Sequence, residues 1–445
     1  MKTMTVSRAA AICGGRLTQY SDAPIGRAII DSRQVQPGDM FVAYRGENVD
    51  GHRFIAKALE AGAACCLAEY LPEGVSGPVI LVDDVQAALE KICAGYRRGL
   101  SIPVIGITGS VGKTTAKEML AAALSGKYAV FKTPGSMNGQ IGIPVSLLGL
   151  RGEYDVAVIE MGVSLFGEMT RLTNMVHPDM AVFMNIGDAH LEALGDRPGI
   201  LRAKSEMLLG MKDDAVAFAN GDDALLSHAD FRRKTVLFGL GEKCAVRAAD
   251  IRQNGESLSC RIIAGERDFP VTVPAYGNYM IYSVLAAAAV SLELGLSDAE
   301  IARGLALYQT VGRRSRVERT AYCTLVDDCY NANPTSDCAA IDSLASLGGR
   351  RVCVLGDMLE MGENAPALHR TVGEYAVTHG VELVITQGDL AGYIAEGAGE
   401  EGMHFPDRAA LLHALPELIR PGDTVLVKAS HGAHFEEVSE AIKSL

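Results

Sequence analysis

Short apolar runs rich in β-branched residues recur along the chain, and stretches with helical character separate many of them. In the middle of the chain these runs fall at 104–108, 155–161, 180–185, 215–220 and 235–239. A second series follows at 324–327, 351–355, 382–387 and 424–428. Buried parallel strands have this apolar pattern, and helices cover both faces of their sheet. The pattern therefore predicts an α/β fold with two mostly parallel sheets.

The first hundred residues have a different pattern. They contain shorter stretches and turns, including an apolar segment at 38–43 and a helical one at 54–62. We therefore predict three domains: an N-terminal α/β domain at 1–99, a central domain at 100–311 and a C-terminal Rossmann-like α/β domain at 312–445. Ligands of open α/β sheets bind at the carboxyl ends of the strands, so candidate chemistry is sought there.

Composition narrows the class of protein. The chain is 48% apolar and 21% charged, which is typical of a globular protein. Its net charge of −13 argues against general nucleic-acid binding, although local cations can still bind an anionic nucleotide. No apolar run reaches the length of a membrane span, and residues 1–5 lack a signal-peptide pattern. Ten scattered cysteines without Cys-x-x-Cys spacing favour a reducing compartment, and we expect a cytoplasmic monomer.

A glycine-containing turn joins the strand at 104–108 to a strong helix-forming stretch. It consists of Thr108, Gly109, Ser110, Val111, Gly112, Lys113, Thr114 and Thr115. Backbone N–H groups of such a turn and the helix N-terminus can surround phosphate oxygens. Lys113 can reach the β and γ phosphates, and the Thr114 hydroxyl can bind Mg²⁺. The full P-loop spacing requires Gly at 107, where this chain has Ile107, so the turn is a shortened variant. We predict a central P-loop domain that binds ATP.

Three further polar residues follow in the same domain. Glu160 ends a predicted strand, where a P-loop protein holds Mg²⁺; a helix cap or structural ion pair is the alternative. His190 follows the next predicted strand and is a candidate metal ligand or phosphate contact, with a structural role as the alternative. Lys204 lies in a predicted helix, and without further context the sequence predicts a solvated surface lysine at this position.

The order and spacing of these elements resemble the Mur ligase family, whose members build the peptide of bacterial cell-wall precursors with ATP. The resemblance rests on Gly-x-x-Gly-Lys-Thr-Thr, on segments 160–162 and 189–192, and on Ala203-Lys204. Segments 327–334 and 356–363 narrow it to the addition of D-alanyl-D-alanine to UDP-N-acetylmuramoyl-tripeptide. Segments 31–33, 37–43 and 50–52 are similar to the family's UDP-binding domain.

The resemblance implies an ATP-dependent amide ligase that acts through an acyl phosphate. It implies one Mg²⁺ held by Thr114 and Glu160, and a second Mg²⁺ bound near His190. The lysine at the position of Lys204 is carbamylated in the family, which would give Mg²⁺ an anionic oxygen ligand. Asn138, in the polar segment 133–144, matches a loop at the reacting carboxylate, although a plain polar turn is the alternative.

The resemblance also implies binding residues in the outer domains. In the C-terminal domain, Arg313 or its neighbour Arg314 matches an arginine that joins the ATP phosphates, and a basic linker is the alternative. Four residues of this domain would form its ATP-facing edge and part of the dipeptide pocket, namely Asp328, Tyr330, Asn331 and Asn333. Residues of the N-terminal domain are candidates for binding the uridine diphosphate, namely Asp31, Ser32, Arg33, Arg45, Gly46, Glu47, Asp50 and His52. For the first three, a turn or helix cap is the alternative.

Two segments depart from the family pattern. Tyr279 and Ser283 stand where the family has His and Asn, and Ala429 and His431 stand where it has Gly and Arg. These departures concern adenine and dipeptide recognition. They leave open a sister ligase with another amine substrate, or a non-catalytic nucleotide-binding regulatory subunit. A P-loop kinase is a further alternative.

Overall fold

The computed structural model describes residues 4–46 and 49–445, so the prediction for Glu47 lies outside the described residues. The described residues form three sheets, which have five, nine and six strands from the N-terminal to the C-terminal one. Most neighbouring strands within them are parallel. The predicted three-domain α/β fold is confirmed.

The N-terminal sheet is small and its strands are short. Its strands are β1 (Arg16–Leu17), β2 (Ala28–Ile29), β3 (Met40–Val42), β4 (Cys65–Ala68) and β5 (Val79–Leu81), in the spatial order β1-β5-β4-β3-β2. Its helices are α1 (Val6–Cys13), α2 (Ile55–Glu60) and α3 (Val85–Arg97). At the end of α3, the Tyr96 hydroxyl donates to the Leu150 carbonyl at 2.5 Å and Arg97 pairs with Asp179 at 2.9 Å. These bonds attach the N-terminal domain to the central one.

The central sheet has a parallel core whose strands are apolar and β-branched. Its strands are β6 (Val104–Thr108), β7 (Val130–Lys132), β8 (Val156–Glu160), β9 (Met180–Phe183), β10 (Val216–Asn220), β11 (Lys234–Gly239), β12 (Val246–Asn254), β13 (Ser257–Ala264) and β14 (Arg267–Val273). Their spatial order is β14-β13-β12-β11-β10-β9-β6-β8-β7. All five predicted strands of this domain occur, with bounds that differ by at most a few residues.

Alternate residues of the central strands enter two separate apolar cores. Ile105 and Val158 pack in one core with α4 (Lys113–Leu124). Val104 and Ile159 pack in the other, which continues into the N-terminal domain. The remaining helices are α5 (Gly142–Leu147), α6 (Glu168–Val176), α7 (Leu191–Leu194), α8 (Arg197–Ser205), α9 (Ile281–Glu293) and α10 (Asp298–Leu305). Burial on both faces explains why these strands read as continuous apolar runs.

Strands β12 to β14 were not predicted. They form an antiparallel meander at one edge of the central sheet, joined by tight turns at Gly255 and Gly265. Both glycines have positive φ, 57° and 61°, which glycine adopts without strain. Buried and more exposed residues alternate along β14, as expected where one face is covered. This alternation gives a weaker signal than the apolar core strands.

The C-terminal sheet is parallel except at one edge. Its strands are β15 (Arg316–Arg319), β16 (Thr324–Asp327), β17 (Arg351–Leu355), β18 (Leu383–Gln387), β19 (Gly402–Phe405) and β20 (Thr424–Lys428), in the spatial order β15-β16-β20-β17-β18-β19. Its helices are α11 (Pro334–Leu344), α12 (Ala365–Thr378), α13 (Gly392–Ala398), α14 (Arg408–Leu418) and α15 (Glu436–Lys443). The predicted domain borders fall between α3 and β6 and between α10 and β15.

Within the described ranges, none of the helices combines the length and apolar character that crossing a membrane requires. The ten cysteines of this part of the chain are all unpaired.

Candidate active site

A cavity of about 710 Å³ opens where the carboxyl ends of the central strands face the C-terminal domain. The central domain contributes most of the phosphate-binding turn together with Asn138, Glu160 and His190. The C-terminal side contributes predicted residues as well, namely Asp328, Tyr330, Asn331 and Asn333. Residues predicted from distant parts of the chain therefore line one space.

The phosphate-binding turn has the geometry that the sequence predicts. Strand β6 ends at Thr108, and α4 begins at Lys113 after Gly112, whose φ is 77°. The Lys113 ammonium donates to the carbonyls of Gly109 at 2.8 Å and Ser110 at 3.2 Å. Burial lowers the pKa of Lys113, Glu160 opposes this shift and Arg314 adds to it. The turn thus presents a helix N-terminus and a lysine to one space, which suits a polyphosphate.

Asn185 holds the turn in place and was not predicted. It follows β9, and its side chain accepts from the Val111 N–H at 2.9 Å and donates to the Val111 carbonyl at 3.0 Å. Its own carbonyl accepts from the Ser110 N–H at 3.1 Å. The strand-end rule that selected Glu160 applies equally to this asparagine and would have found it.

Glu160 is buried at the end of β8, with 1% of its surface exposed. One carboxylate oxygen, Oε1, accepts from the Asn138 side-chain amide at 2.6 Å. The other, Oε2, has no hydrogen-bond partner among the described residues. A buried carboxylate oxygen without a hydrogen-bond donor, in the cavity that the P-loop residue Thr114 also lines, fits a hard divalent cation such as Mg²⁺.

A second buried lysine, Lys117, supports this carboxylate and was also not predicted. Its ammonium lies 3.6 Å from Glu160 Oε2 and 3.2 Å from Glu118 Oε1. It also donates to the carbonyls of Thr133 at 2.8 Å and Gly135 at 2.6 Å. Lys117 therefore connects the P-loop helix to the segment that carries Asn138. Its position four residues after Lys113 places it one helical turn further on.

Lys204 is buried rather than solvated, with 1% of its surface exposed in α8. Its ammonium makes no hydrogen bond or ion pair with any residue that the structure describes. Burial lowers the pKa of Lys204 well below its ordinary value, and the charge of Lys113 adds to this shift. The surface interpretation of Lys204 is therefore wrong, because the helix turns this side chain inward.

His190 lines the cavity and lies 2.6 Å, through Nδ1, from Glu360 Oε2 of the C-terminal domain. Burial lowers the pKa of His190, Glu360 opposes this shift, and Lys113 and Lys204 reinforce it. Across residues 4–46 and 49–445, no three His, Cys, Asp or Glu side chains converge as a metal-binding group. A bound Mg²⁺ would therefore depend on other oxygen atoms, including those of phosphate and water.

The two arginines after α10 have different partners. Arg313 pairs with Asp327 at 2.5 Å and Glu440 at 2.8 Å, inside the C-terminal domain. Arg314 lines the cavity instead, where it donates to the Ser136 hydroxyl at 2.9 Å and lies 3.6 Å above the Tyr330 ring. The structure therefore brings Arg314, and not the predicted Arg313, into the cavity, since consecutive side chains point apart.

Most predicted C-terminal residues also have structural partners. Asp328 pairs with Lys428 at 2.6 Å, and the same ammonium donates to the Asn331 carbonyl at 2.8 Å. Asn333 caps α11, because its side chain accepts from the Ser336 N–H at 3.0 Å. Tyr330 stacks on His431 at 5.6 Å. These bonds shape the wall of the cavity.

Three of the residues that differ from the family pattern, Tyr279, Ser283 and His431, line this cavity or contact its lining. Tyr279 and Ser283 contribute to its lining, and the Tyr279 hydroxyl bonds to the Ser315 hydroxyl. His431 lies behind Tyr330 and 3.7 Å from Glu436. The predicted central-domain residues that the described lining of this cavity does not include are Thr108, Gly109 and Lys204.

The predicted N-terminal residues lie outside the described lining of this cavity. Arg33 pairs with Asp31, and 81% of the Arg33 side chain is exposed next to Ser32. Arg45, beside Gly46, lies 3.5 Å from Glu69 and 5.3 Å above the Tyr70 ring.

Asp50 and His52 have mainly structural contacts. His52 is fully buried, bonds to Asp50 at 2.7 Å and accepts from the Glu69 N–H at 2.9 Å. Burial raises the pKa of Asp50, but the hydrogen bonds from His52 and Tyr70 outweigh this effect and lower that pKa to about 2. With both ring nitrogens satisfied and no exposed surface, His52 cannot contact a ligand, so that part of the prediction is wrong.

The fold and the site together define a P-loop protein in which the P-loop turn lines a cavity shared by two α/β domains. Three family models match the chain. The model of the Mur ligase middle domain matches residues 107–291, and that of the Mur ligase glutamate ligase domain matches residues 312–431. The model of the Mur ligase family catalytic domain matches residues 28–97. The chain belongs to the Mur ligase family and is a ligase, which confirms the resemblance.

Three relatives cover almost the whole chain. The UDP-N-acetylmuramoyl-tripeptide–D-alanyl-D-alanine ligase of Bacillus subtilis (strain 168) is 36% identical over 98% of this chain and 97% of its own length. A crystal structure of MurF from Acinetobacter baumannii is 31% identical, with a TM-score of 0.93 over 100% of both chains. MurF from Thermotoga maritima in complex with ADP is 32% identical, with a TM-score of 0.84 over 94% of this chain and 97% of its own.

Proposed function

We propose that this chain uses ATP to join D-alanyl-D-alanine to the free carboxylate of UDP-N-acetylmuramoyl-tripeptide. The observation that carries the proposal is the shared cavity, which brings the phosphate-binding turn and Glu160 against the C-terminal wall. The name of the Bacillus subtilis relative supports the two substrates, and the ADP complex of the Thermotoga maritima relative supports ATP as the nucleotide. The reaction belongs to peptidoglycan precursor synthesis.

The chemistry requires activation, because a carboxylate oxygen is a poor leaving group. Transfer of the γ-phosphoryl group of ATP to the substrate carboxylate gives ADP and an acyl phosphate. The amine of the dipeptide then attacks the carbonyl carbon, and the resulting tetrahedral intermediate expels phosphate. Both steps build negative charge on oxygen, so fixed cations in a partly closed site supply most of the stabilisation.

Two of the cationic side chains that line the cavity support this proposal, those of Lys113 and Arg314. Lys113 and the helix N-terminus of α4 would bind the β and γ phosphates, together with the backbone of the turn. Arg314 would bind phosphate from the opposite side, since it lines the cavity next to the Asn138 segment. Asn138 itself is within hydrogen-bond distance of Glu160, and we assign it to the reacting carboxylate.

Mg²⁺ would supply charge neutralisation at the transferred phosphoryl group when bound. We assign Thr114 and Glu160 to one ion and His190 to a second one. Lys204 would serve the second site as a carbamate, formed when its neutral amine adds to CO₂ with loss of one proton. Its burial, its lack of a described partner and its lowered pKa all favour the neutral amine that this addition needs.

The N-terminal domain would bind the uridine diphosphate. Ser32, Arg33, Arg45 and Gly46 are the remaining candidates, because phosphate is bound by arginine and by hydroxyl or backbone N–H groups. Asp50 would act indirectly, by holding the loop next to Arg45 through its bond to His52. We accordingly assign residues 1–99 to the UDP-linked substrate, 100–311 to ATP and 312–445 to closure of the site, with the dipeptide at Tyr330 and Asn333.

The free cysteines suit a reducing cytoplasm.

One assay tests the proposed reaction. The protein is incubated with ATP, Mg²⁺, UDP-N-acetylmuramoyl-tripeptide and a panel of amino acids and dipeptides, while phosphate release and product mass are measured. We expect phosphate release and a product mass that corresponds to addition of D-alanyl-D-alanine. A different preferred amine would indicate a sister ligase, and phosphate retained on the product would indicate a kinase. A folded protein that releases no phosphate with any acceptor would contradict the ligase proposal.

Two controls address the residue assignments. Lys113→Ala should abolish turnover, and persistent activity would mean that the turn does not bind the transferred phosphate. Removal of CO₂ should lower the activity, and bicarbonate should restore it if Lys204 is carbamylated. Unchanged activity after thorough CO₂ removal would contradict the carbamate.

A further inference from the structure

The contact between His190 and Glu360 joins two domains that are far apart in sequence. His190 precedes α7 in the central domain, and Glu360 lies in the loop between β17 and α12 of the C-terminal domain. Their side chains meet at 2.6 Å between Nδ1 and Oε2. The same loops also meet through the backbone, because the Glu192 N–H donates to the Glu360 carbonyl at 3.5 Å.

Both residues have an unusual backbone conformation. His190 has φ of 58° and Glu360 has φ of 63°, in the left-handed region that residues other than glycine rarely occupy. Such a conformation persists only where the surrounding structure enforces it, and it is common at functional sites. Here two such residues, one from each domain, face each other.

The hydrogen bond determines which nitrogen of His190 carries the proton. An ionised carboxylate can only accept, so Nδ1 must be the donor. In a neutral imidazole the second nitrogen, Nε2, then keeps its lone pair. A carboxylate that accepts from one ring nitrogen orients a histidine for metal binding through the other and increases its basicity.

We propose that Glu360 is a positioning residue that holds His190 in the Nδ1–H tautomer, with Nε2 directed to a divalent cation. This inference rests on the proposed function, which assigns His190 to Mg²⁺. Because Glu360 comes from the C-terminal domain, the tautomer is selected only when the two domains are together. Metal binding at His190 is thereby coupled to closure of the cavity.

Nuclear magnetic resonance of ¹⁵N-labelled histidine side chains measures the tautomer directly, and His190→Gln identifies the signals of His190. Glu360→Gly removes the carboxylate, and glycine tolerates a φ of 63°. We expect Nδ1–H in the wild type, its loss in Glu360→Gly and its recovery in Glu360→Gln, whose amide oxygen can accept. Glu363→Ala, an exposed carboxylate three residues further on, is the matched control and should leave the tautomer unchanged.

Metal binding gives a second readout. With ADP present, Mn²⁺ titration followed by electron paramagnetic resonance should show roughly 10- to 100-fold weaker binding in Glu360→Gly than in Glu363→Ala. In the ligase assay, the Mg²⁺ concentration for half-maximal rate should rise by a similar factor, while the KM for the dipeptide stays constant.

The inference is overturned if Glu360→Gly keeps both the Nδ1–H tautomer and the Mn²⁺ affinity of the control. It is also overturned if the wild type does not show Nδ1–H. If the wild type releases no phosphate with any acceptor, the proposed function fails instead, while the tautomer and Mn²⁺ measurements still judge the role of Glu360.

Discussion

Asp337 offers a quantitative test of how the buried charges around Lys428, at the wall of the cavity, affect stability. It is a fully buried carboxylate in the first turns of α11, 3.8 Å from Lys428, which is already paired with Asp328 at 2.6 Å. Two carboxylates thus share one ammonium. Burial raises the pKa of Asp337 to about 6, Lys428 opposes this shift and Asp328 adds to it.

The sign of the effect on stability follows from the two pKa values. The pKa is raised from 3.8 in the unfolded chain to about 6 in the folded one, so the folded state binds the proton more tightly. The resulting stabilisation is fully present below the unfolded pKa and is lost as the pH rises through about 6. At about 1.4 kcal/mol per pKa unit, the loss amounts to about 3 kcal/mol.

Asp337→Asn removes the charge at every pH and leaves the Asp328–Lys428 pair intact. We expect the variant to be more stable than the wild type by about 3 kcal/mol at pH 7.5 and by about half as much at pH 5. Because a three-domain chain need not unfold in one step, hydrogen exchange of amides in β16 and β20 is the suitable measurement.

Asp342→Asn is the matched control, because Asp342 lies on the same helix but is exposed, and an amide oxygen can still accept the hydrogen bond that the Tyr375 hydroxyl donates to Asp342 at 2.8 Å. This substitution should change the free energy of opening of the β16 and β20 amides, measured by hydrogen exchange, by less than about 0.5 kcal/mol at either pH. An Asp337→Asn variant that is no more stable than the wild type at pH 7.5, or that is stabilised equally at both pH values, would refute the reasoning.

Three other substitutions, the last with a matched control, test residues in and near the cavity. Lys117→Met leaves Glu160 without its buried counter-charge, so the opening free energy measured by hydrogen exchange of the α4 amides should fall by about 3–5 kcal/mol. Lys204→Met removes an amine whose burial penalises folding at neutral pH, so the thermal midpoint without bicarbonate should rise while ligation is lost; a lower midpoint would contradict this. Arg314→Ala should raise the KM for ATP by roughly 10- to 100-fold through loss of a charged hydrogen bond, whereas Arg313→Ala should lower stability with little change in that KM.

Much of the fold was predictable because its strands are buried on both faces. Strands β6, β16, β17 and β20 begin and end where the apolar runs do, since a change in burial changes residue type at the same point. The antiparallel strands β12 to β14 were missed for the opposite reason. Their exposed positions carry polar residues, which dilutes the pattern over a short segment.

The phosphate-binding turn depends on local chemistry and was equally accessible. Glycine at position 112 permits positive φ, and the lysine and threonine after it begin a helix. These properties belong to consecutive residues, so the sequence alone determined the turn, the strand-end position of Glu160 and the class of ligand.

Only the tertiary structure decided which polar side chains are buried and which of them line the cavity. Lys204 is buried because α8 packs inward, Arg314 rather than Arg313 enters the cavity, and His190 meets Glu360 across 170 residues of chain. The direction of a side chain depends on the packing of whole elements against each other. That packing sums many weak long-range contacts, and no short segment of sequence records it.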